Sequence, residues 1–297
     1  FFTSPDLQKI ITLALKNNQD LKIANLNIQS AQATYNIARS NLIPNINATA
    51  SATRQGVPGA FASFTPQTIY KANLSLASYE VDFFGRLRSL KKSALEDFLA
   101  TIEAKNITHI ALITQTANSY AQFLSDSEIL KISESIVQAH HEKYHVAKSK
   151  YEEGITSQSD FLTAQTALEN ARMNHETYHK IVQLDKSALM LLTGIFDEKK
   201  LPLDSSLKKI KMNEKLLEST PSHTLLTRPD IQKAEHVLKG ANANIGAARA
   251  AFFPSISLTG SYGYSSGALS NLFSSKTWAF TPQVNLPIFS AGKNIAN

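Results

Sequence analysis

Residues 20–51 read DLKIANLNIQSAQATYNIARSNLIPNINATAS, and residues 230–261 repeat them as DIQKAEHVLKGANANIGAARAAFFPSISLTGS. Identical pairs include Asp20/Asp230, Ala24/Ala234, Ala31/Ala241, Ala33/Ala243, Ala38/Ala248, Arg39/Arg249, Pro44/Pro254, Ile46/Ile256 and Ser51/Ser261. This offset of 210 residues is far longer than a solenoid period. The sequence therefore predicts a duplicated half-protein in which both copies build the same supersecondary unit.

Each copy predicts a helix that runs into a β-strand. Helical patterns cover about 7–41 and 221–251, and Pro44 and Pro254 end them because proline disfavours the α-conformation in the preceding residue. Beyond each proline the hydrophobic period changes to two, which is typical of strands. We expect strands over 45–53, from Tyr70, over 255–264 and from Trp278, with loops at 54–69 and 265–276.

One face of these predicted strands is apolar, and the other carries small uncharged polar residues. The polar residues, which we expect to line a water-filled lumen, are Asn45, Asn47, Thr49, Ser51, Asn73, Ser75, Ser255, Ser257 and Thr259. A soluble sandwich alternates in the same way, so the pattern alone leaves both structures open. Aromatic residues near the strand ends favour a membrane barrel. Because four strands cannot close a barrel, the chain would have to oligomerise.

The middle of the chain predicts a long antiparallel helical hairpin. No glycine or proline lies between Arg86 and Glu153 or between Ile155 and Thr193, so both stretches read as uninterrupted helix, the first on the order of 100 Å long. The second follows the 3–4 spacing of a coiled-coil seam. Its seam residues are Phe161, Ala164, Leu168, Ala171, His175, Tyr178, Val182, Asp185, Leu189 and Leu192. The matching seam residues of the first helix are Leu130, Val137, His140, Tyr144, Ala147 and Tyr151.

Composition narrows the classes of function. The net charge of +6 is modest and scattered, which does not indicate nucleic-acid binding. No apolar run reaches the roughly 20 residues of a membrane helix. Without cysteine, disulfides and zinc–thiolate sites are excluded within the chain. Because Phe1 is not an initiator methionine, we expect that the chain has been processed or trimmed.

Few residues indicate a metal-binding or catalytic site. His141/His145 and His175/His179 have the i,i+4 spacing that can hold zinc, but no carboxylate or thiol completes either pair, so solvated or seam histidines are the favoured interpretation. Glu152 with Glu153, and Glu80 with Asp82, predict surface or lumen charge at a hairpin tip and a strand end. Without a phosphate loop or a nucleophile–base set, we predict no enzyme, cofactor or metal site.

Several long motifs resemble the TolC-like outer-membrane efflux factors, especially the lipoprotein branch attached to RND multidrug pumps. The motifs are LLTRPDIQKAEHVLKGANANIGAARAAFFPSISLTGSYGYSS, LASYEVDFFGRLRS, VNLPIFSAGKN and YEEGITSQSDFLTAQTALENAR. The resemblance covers essentially the whole chain. It implies a mixed α/β membrane protein: a homotrimer whose twelve-stranded outer-membrane β-barrel, with four strands from each chain, continues into a long periplasmic α-helical tunnel.

The resemblance also implies function and partners. It suggests a passive exit duct for drugs and other small molecules, embedded in outer-membrane lipid and driven by an inner-membrane RND-type transporter. A periplasmic adaptor (membrane fusion) protein would contact the hairpin tip, which in this sequence is Tyr151, Gly154, Ile155, Thr156 and Ser157. A type I protein-secretion duct, a non-membrane coiled-coil structural protein and a truncated, non-conducting product remain alternatives.

The predicted division of the chain follows from these patterns. We expect a periplasmic helix (1–43), a barrel hairpin (44–85), a helical hairpin (86–194, tip at 154–157), an equatorial linker (195–220), a second helix (221–253), a second barrel hairpin (254–292) and the start of a further helical hairpin (293–297). The family's second helical hairpin, with its gate residues, and its upstream acylated cysteine both fall outside the sequence. We therefore expect the natural protein to continue with a second hairpin.

Overall fold

A computed structural model describes residues 4–58, 64–203, 207 and 221–289. The α-helices are α1 (Pro5–Asn17), α2 (Gln19–Ser40), α3 (Arg86–Glu152), α4 (Gln158–Thr193) and α5 (Pro229–Ala250). The strands are β1 (Ile46–Pro58), β2 (Phe64–Val81), β3 (Ser255–Ser266) and β4 (Lys276–Asn285). Short 3₁₀ helices span Glu198–Lys200, Ser222–Thr227 and Leu269–Ser274. The chain forms two compact units, Phe1–Leu26 with Glu103–Asp230 and Asn27–Ile102 with Ile231–Asn297.

The first unit is a helical hairpin with α1 packed against it. Leu7 and Ile10 of α1 join Tyr120 and Leu124 of α3 and Leu189 of α4 in one cluster, and all five are at most 2% exposed. Burying an aliphatic or aromatic side chain of this size contributes about 1.5–3 kcal/mol. The cluster therefore fixes α1 onto the hairpin.

The predicted coiled-coil seam is present in this unit. All ten predicted seam positions of α4 are buried or half-buried, and Leu168, Ala171, Val182 and Leu189 are fully buried. A polar contact crosses the seam as well, because the Oγ of Ser133 lies 3.1 Å from Nδ1 of His175. The 3–4 spacing thus correctly predicted which face of α4 is covered.

The second unit contains one antiparallel sheet in the order β1–β2–β3–β4. Ile46 pairs with Leu76, Ser75 with Ser261, and Tyr262 with Trp278. Residues that pair across antiparallel strands point to the same face. This register therefore determines which side chains of the four strands share a face.

A β-bulge interrupts the register of β2. Leu76 pairs with Gly260, whereas Tyr79 pairs with Leu258, so two residues of β2 lie opposite one residue of β3. Ser78 within the bulge has a φ of +45°, the left-handed conformation that bulges use. Beyond the bulge, the faces of β2 are exchanged relative to simple alternation.

Helix α5 packs against the start of α3 through small residues. A Cβ at Gly246 would lie 2.9 Å from the Oγ of Ser89, and Gly240 faces Ser93 and Glu96. Nδ1 of His236 on α5 lies 2.7 Å from the carboxylate of Glu96. The alanine-rich and glycine-rich face of the second repeat therefore serves close helix packing.

Both long helices predicted before the prolines are interrupted. The helix expected over 7–41 breaks at Asn18, whose Oδ1 accepts from the amides of Asp20 and Leu21 and begins a new helix. The helix expected over 221–251 begins as the 3₁₀ segment Ser222–Thr227, and α5 starts at Pro229. Proline pushes its predecessor out of the α-conformation, which explains this second break.

The first β-hairpin is longer than expected. The loop predicted at 54–69 is wrong at both ends, because β1 continues to Pro58 and β2 begins at Phe64. The segment predicted as a loop at 265–276 contains the 3₁₀ helix Leu269–Ser274. Parts of the expected loop (59–63), most of the expected linker (204–206 and 208–220) and the expected start of a further hairpin (293–297) lie outside the described residues.

Candidate functional site: the sheet faces and the hairpin tip

The sheet brings eight of the nine predicted polar residues to one face. Asn47 pairs with Ser75, and Thr49 pairs with Asn73. Ser75 in turn pairs with Ser261 of β3, and this places the odd-numbered residues of β3 on the same face. The members are Asn47, Thr49, Ser51, Asn73, Ser75, Ser255, Ser257 and Thr259. The ninth, Asn45, immediately precedes β1. We call this set the polar face.

The opposite face consists of apolar rows that cross all four strands. One row joins Ile46, Leu76, Gly260 and Phe280, and the next joins Ala48, Leu74, Tyr262 and Trp278. Leu76 is half-buried, but most of the large side chains in these rows are exposed: 68% for Ile46, 77% for Trp278 and 60% for Phe280. A contiguous exposed apolar surface of this kind indicates contact with lipid or with another chain. We call it the apolar face.

Two ion pairs lie where β2 turns into α3. Glu80 accepts from Nε of Arg86 at 2.7 Å, and Asp82 accepts from Nε of Arg88 at 3.0 Å. Because of the bulge, Glu80 pairs with Ser257 and so belongs to the polar face. Simple alternation from Leu76 would have placed Glu80 on the apolar face, so alternation alone does not predict its position.

Asp82 also caps α3. Its carboxylate oxygens accept from the amides of Leu87 and Arg88 at 3.1 and 2.9 Å. Burial opposes ionisation, but the amides of Arg88 and Leu87 and the guanidinium of Arg88 outweigh it and lower the pKa of Asp82. Glu80 and Asp82, predicted as surface or lumen charge, therefore have structural partners at the helix start.

The hairpin tip is a tight, hydrogen-bonded turn. Gly154 has a φ of +77°, and the amide of Ile155 donates to Lys150 O at 2.8 Å. Such a left-handed glycine ends a helix without a steric penalty. Ser157 begins α4, because its Oγ accepts from the amide of Asp160 at 3.1 Å.

The predicted tip residues divide into structural and exposed members. Ser157 and Thr156 donate to the carboxylate of Asp160 at 2.7 and 3.0 Å, and these hydrogen bonds lower its pKa. The ring of Tyr151 stacks on Phe161 with centroids 5.3 Å apart. Ile155 makes the tip apolar, because 68% of it is exposed.

A pair of carboxyl groups in the hairpin escaped the sequence-based search for chemistry. Asp126 of α3 is buried and accepts from Nε2 of Gln122 at 2.8 Å. It adjoins Asp185 of α4, whose pKa is raised to about 6 by burial and by the Asp126 carboxyl group. The seam pattern placed Asp185 correctly, but the partner on α3 could be identified only from the register of the two helices.

Other candidate chemistry is sparse in the part of the chain that the structure describes. There, no three or more His, Cys, Asp or Glu residues come together in a way that could hold a metal ion. His175 lies at the seam beside Ser133, whereas His141 and His145 are exposed neighbours. Within the same residues, no helix is both long enough and apolar enough to cross a membrane.

Comparison with known proteins identifies the family. A profile of the outer membrane efflux protein family matches residues 10–195 and 220–297. The chain therefore belongs to this family of TolC-like proteins, as its motifs predicted.

Individual relatives agree with this assignment. The chain is 42% identical over 98% of its length to a Pseudomonas putida protein described as the probable efflux pump outer membrane protein TtgC, and it covers 61% of that protein. It is 35% identical over its whole length to outer membrane protein OprJ of Pseudomonas aeruginosa, of which it covers 63%. The chain thus spans somewhat under two thirds of these relatives.

Solved structures share the fold. A membrane protein from Pseudomonas aeruginosa superimposes with a TM-score of 0.92 at 35% identity, over 100% of this chain and 69% of the other. The open state of the MtrE outer membrane channel of Neisseria gonorrhoeae gives a TM-score of 0.85 at 36% identity, over 100% and 66%. The mixed architecture of an antiparallel four-stranded sheet and long helices is confirmed as that of this channel family.

Proposed function

We propose that this chain is a subunit of an outer-membrane channel, the passive exit duct of a tripartite efflux system for drugs and other small molecules. The observation that carries the proposal is the segregation of the sheet into an exposed apolar face and a polar face whose side chains are mostly small and uncharged. In a membrane barrel the apolar face contacts lipid and the polar face lines the water-filled lumen. The efflux-pump names of the relatives support the same activity.

The sheet edges support oligomerisation. β1 and β4 are the terminal strands of the four-stranded sheet, so each leaves one edge for pairing with another chain. Open edges are not tolerated in hydrocarbon, because unpaired amides and carbonyls cost several kcal/mol each. A homotrimer with twelve strands is the closed arrangement that the family resemblance implies, and it places the protein in the outer membrane.

The hairpin tip is the proposed contact for a periplasmic adaptor protein, which would link the channel to an inner-membrane RND-type transporter. Ile155 offers an exposed apolar contact beside the hydrogen-bonded turn of Gly154 and Ser157. This turn holds its shape through its own hydrogen bonds, so it can dock as a preformed element.

Two neighbouring residues of β2 allow a matched test of the channel. Leu74 lies on the apolar face and Asn73 on the polar face. An arginine on the lipid face costs about 2–4 kcal/mol at mid-membrane depth, whereas a lumen position tolerates charge. In a strain lacking its own channel, we expect Asn73→Arg of the full-length protein to assemble and restore drug resistance, whereas Leu74→Arg fails to assemble. Equal assembly of both variants would refute the proposed orientation.

The tip has its own test. We expect Gly154→Val, which forces a branched side chain into φ +77°, to reduce crosslinking to the adaptor while trimers persist. Ser159→Val, in the exposed first turn of α4, is the control. Adaptor crosslinking that is unchanged in Gly154→Val would contradict the proposed contact.

A further inference from the structure

Two histidine pairs in the hairpin have the same spacing but different surroundings. His141 and His145 lie one turn apart on α3, and His175 and His179 lie one turn apart on α4. His175 is half-buried at the seam, with Nδ1 beside the Oγ of Ser133. His141 and His145 are both exposed, and their rings meet with centroids 4.4 Å apart. In the exposed pair, two ring nitrogens lie within contact distance of each other.

The distance between these nitrogens fits a shared metal ion. Nε2 of His141 and Nε2 of His145 are 3.3 Å apart. Two imidazoles that each bind at about 2.1 Å would then subtend about 104° at the metal. This angle lies between the values for octahedral and tetrahedral coordination.

The local packing restrains one of the two rings. The ring of His145 meets Tyr144 edge to face, with centroids 5.6 Å apart, and Tyr144 contacts Phe161 of α4 at 5.7 Å. A ring held against a seam aromatic loses less rotational freedom on binding. Because both histidines are exposed, water can complete the coordination of a bound ion.

The i,i+4 spacing alone favoured solvated histidines, but the distance between the two nitrogens changes that interpretation. We propose that His141 and His145 form a two-imidazole site for a late first-row divalent cation such as Cu²⁺ or Ni²⁺. Imidazole suits these metals, and affinity follows the order Ni²⁺ < Cu²⁺ > Zn²⁺. Hard cations such as Mg²⁺ and Ca²⁺ prefer oxygen ligands and would not compete. The site lies outside the sheet and the tip, so it is independent of the proposed channel function.

The test is a Cu²⁺ titration of the tag-free, full-length protein in detergent, followed by calorimetry. We expect His141→Ala and His145→Ala each to remove one site per chain, or to weaken it by about 100-fold, because a chelating pair exceeds a single ligand by this order. His179→Ala and His175→Ala, the matched controls from the other pair, should retain that site. Excess Mg²⁺ should leave the titration unchanged.

Three results would overturn the proposal. One is a titration that His145→Ala leaves intact, which would show that the two rings share only a hydrogen bond. The second is an equal loss of binding in His179→Ala, which would show that spacing alone, without the geometry of the exposed pair, decides binding. The third is competition by Mg²⁺, which would indicate carboxylate ligands instead.

Discussion

Replacing Asp185 with asparagine should strengthen the α3–α4 hairpin at neutral pH. Asp185 sits at a seam position beside the carboxyl group of buried Asp126, and within the described residues its Oδ2 has no hydrogen-bond partner. At neutral pH, ionisation of Asp185 places a negative charge in a half-buried position beside the Asp126 carboxyl group. Asparagine keeps the shape of the side chain and removes that charge.

The pKa of Asp185 sets the magnitude and the pH window. Burial and the neighbouring Asp126 raise this pKa from 3.8 to about 6, so the folded state binds a proton more tightly than the unfolded chain does. Stability is therefore fully present at pH values below the unfolded pKa and declines as pH rises through about 6. The rise corresponds to at most about 3 kcal/mol. Because Asp185 is partly exposed, solvent screening reduces this to about 1–2 kcal/mol.

Hydrogen exchange by mass spectrometry measures this effect locally, without requiring reversible unfolding of the whole protein. At pH 7.5 we expect amides around Val182–Leu189 to gain about 5- to 30-fold in protection in Asp185→Asn relative to the wild type. At pH 5 the gain should fall by about half in free energy, because Asp185 is then mostly protonated in the folded state. Glu176→Gln removes an exposed carboxylate from the same helix and should change nothing. An unchanged or reduced protection at pH 7.5, or an equal gain at both pH values, would refute the reasoning.

Two backbone positions in the sheet carry further predictions. Ser78 has a φ of +45°, so Ser78→Gly should raise the thermal stability of the protein by about 1 kcal/mol, whereas β-branched Ser78→Val should lower it. A loss of stability in Ser78→Gly would count against the strained bulge. A Cβ at Gly263 would lie 2.2 Å from Ala72 O, so Gly263→Ala should abolish the heat-modifiable folded band on gels. The control is Gly260→Ala, where an added Cβ would have its nearest neighbour 3.7 Å away, and this variant should keep the folded band. Loss of the band in both variants, or its retention in both, would contradict the close approach of β2 and β3.

The alternation of side chains along the strands and the internal sequence repeat made much of this fold predictable. The polar face was predicted for β1, β2 and β3 because side chains alternate strictly up to Leu76. The bulge after Leu76 was not predictable in the same way, since Ser78 takes a conformation that usually requires glycine. The bulge is what brings Glu80, predicted as surface or lumen charge, to the polar face.

The two helix interruptions do have signals in the sequence. Asn18 is a strong N-cap residue, and Pro229 suits the first position of a helix, so both interruptions agree with known preferences. The partnership of Asp126 with Asp185 had no such signal. It depends on the relative register of two helices across a seam, which spacing within one helix does not determine.

Accessibility of single cysteines tests the central claim, that one face of the sheet meets water and the other meets lipid. The 297-residue chain has no cysteine, so each introduced thiol is unique within it. We expect cysteines at Asn47, Ser75 and Ser257 to react with a membrane-impermeant thiol reagent in intact outer membranes. Cysteines at Ala48, Leu76 and Leu258, on the apolar face, should be shielded. Equal labelling of the two sets, or labelling of the apolar set alone, would contradict the assignment of this sheet to a membrane channel.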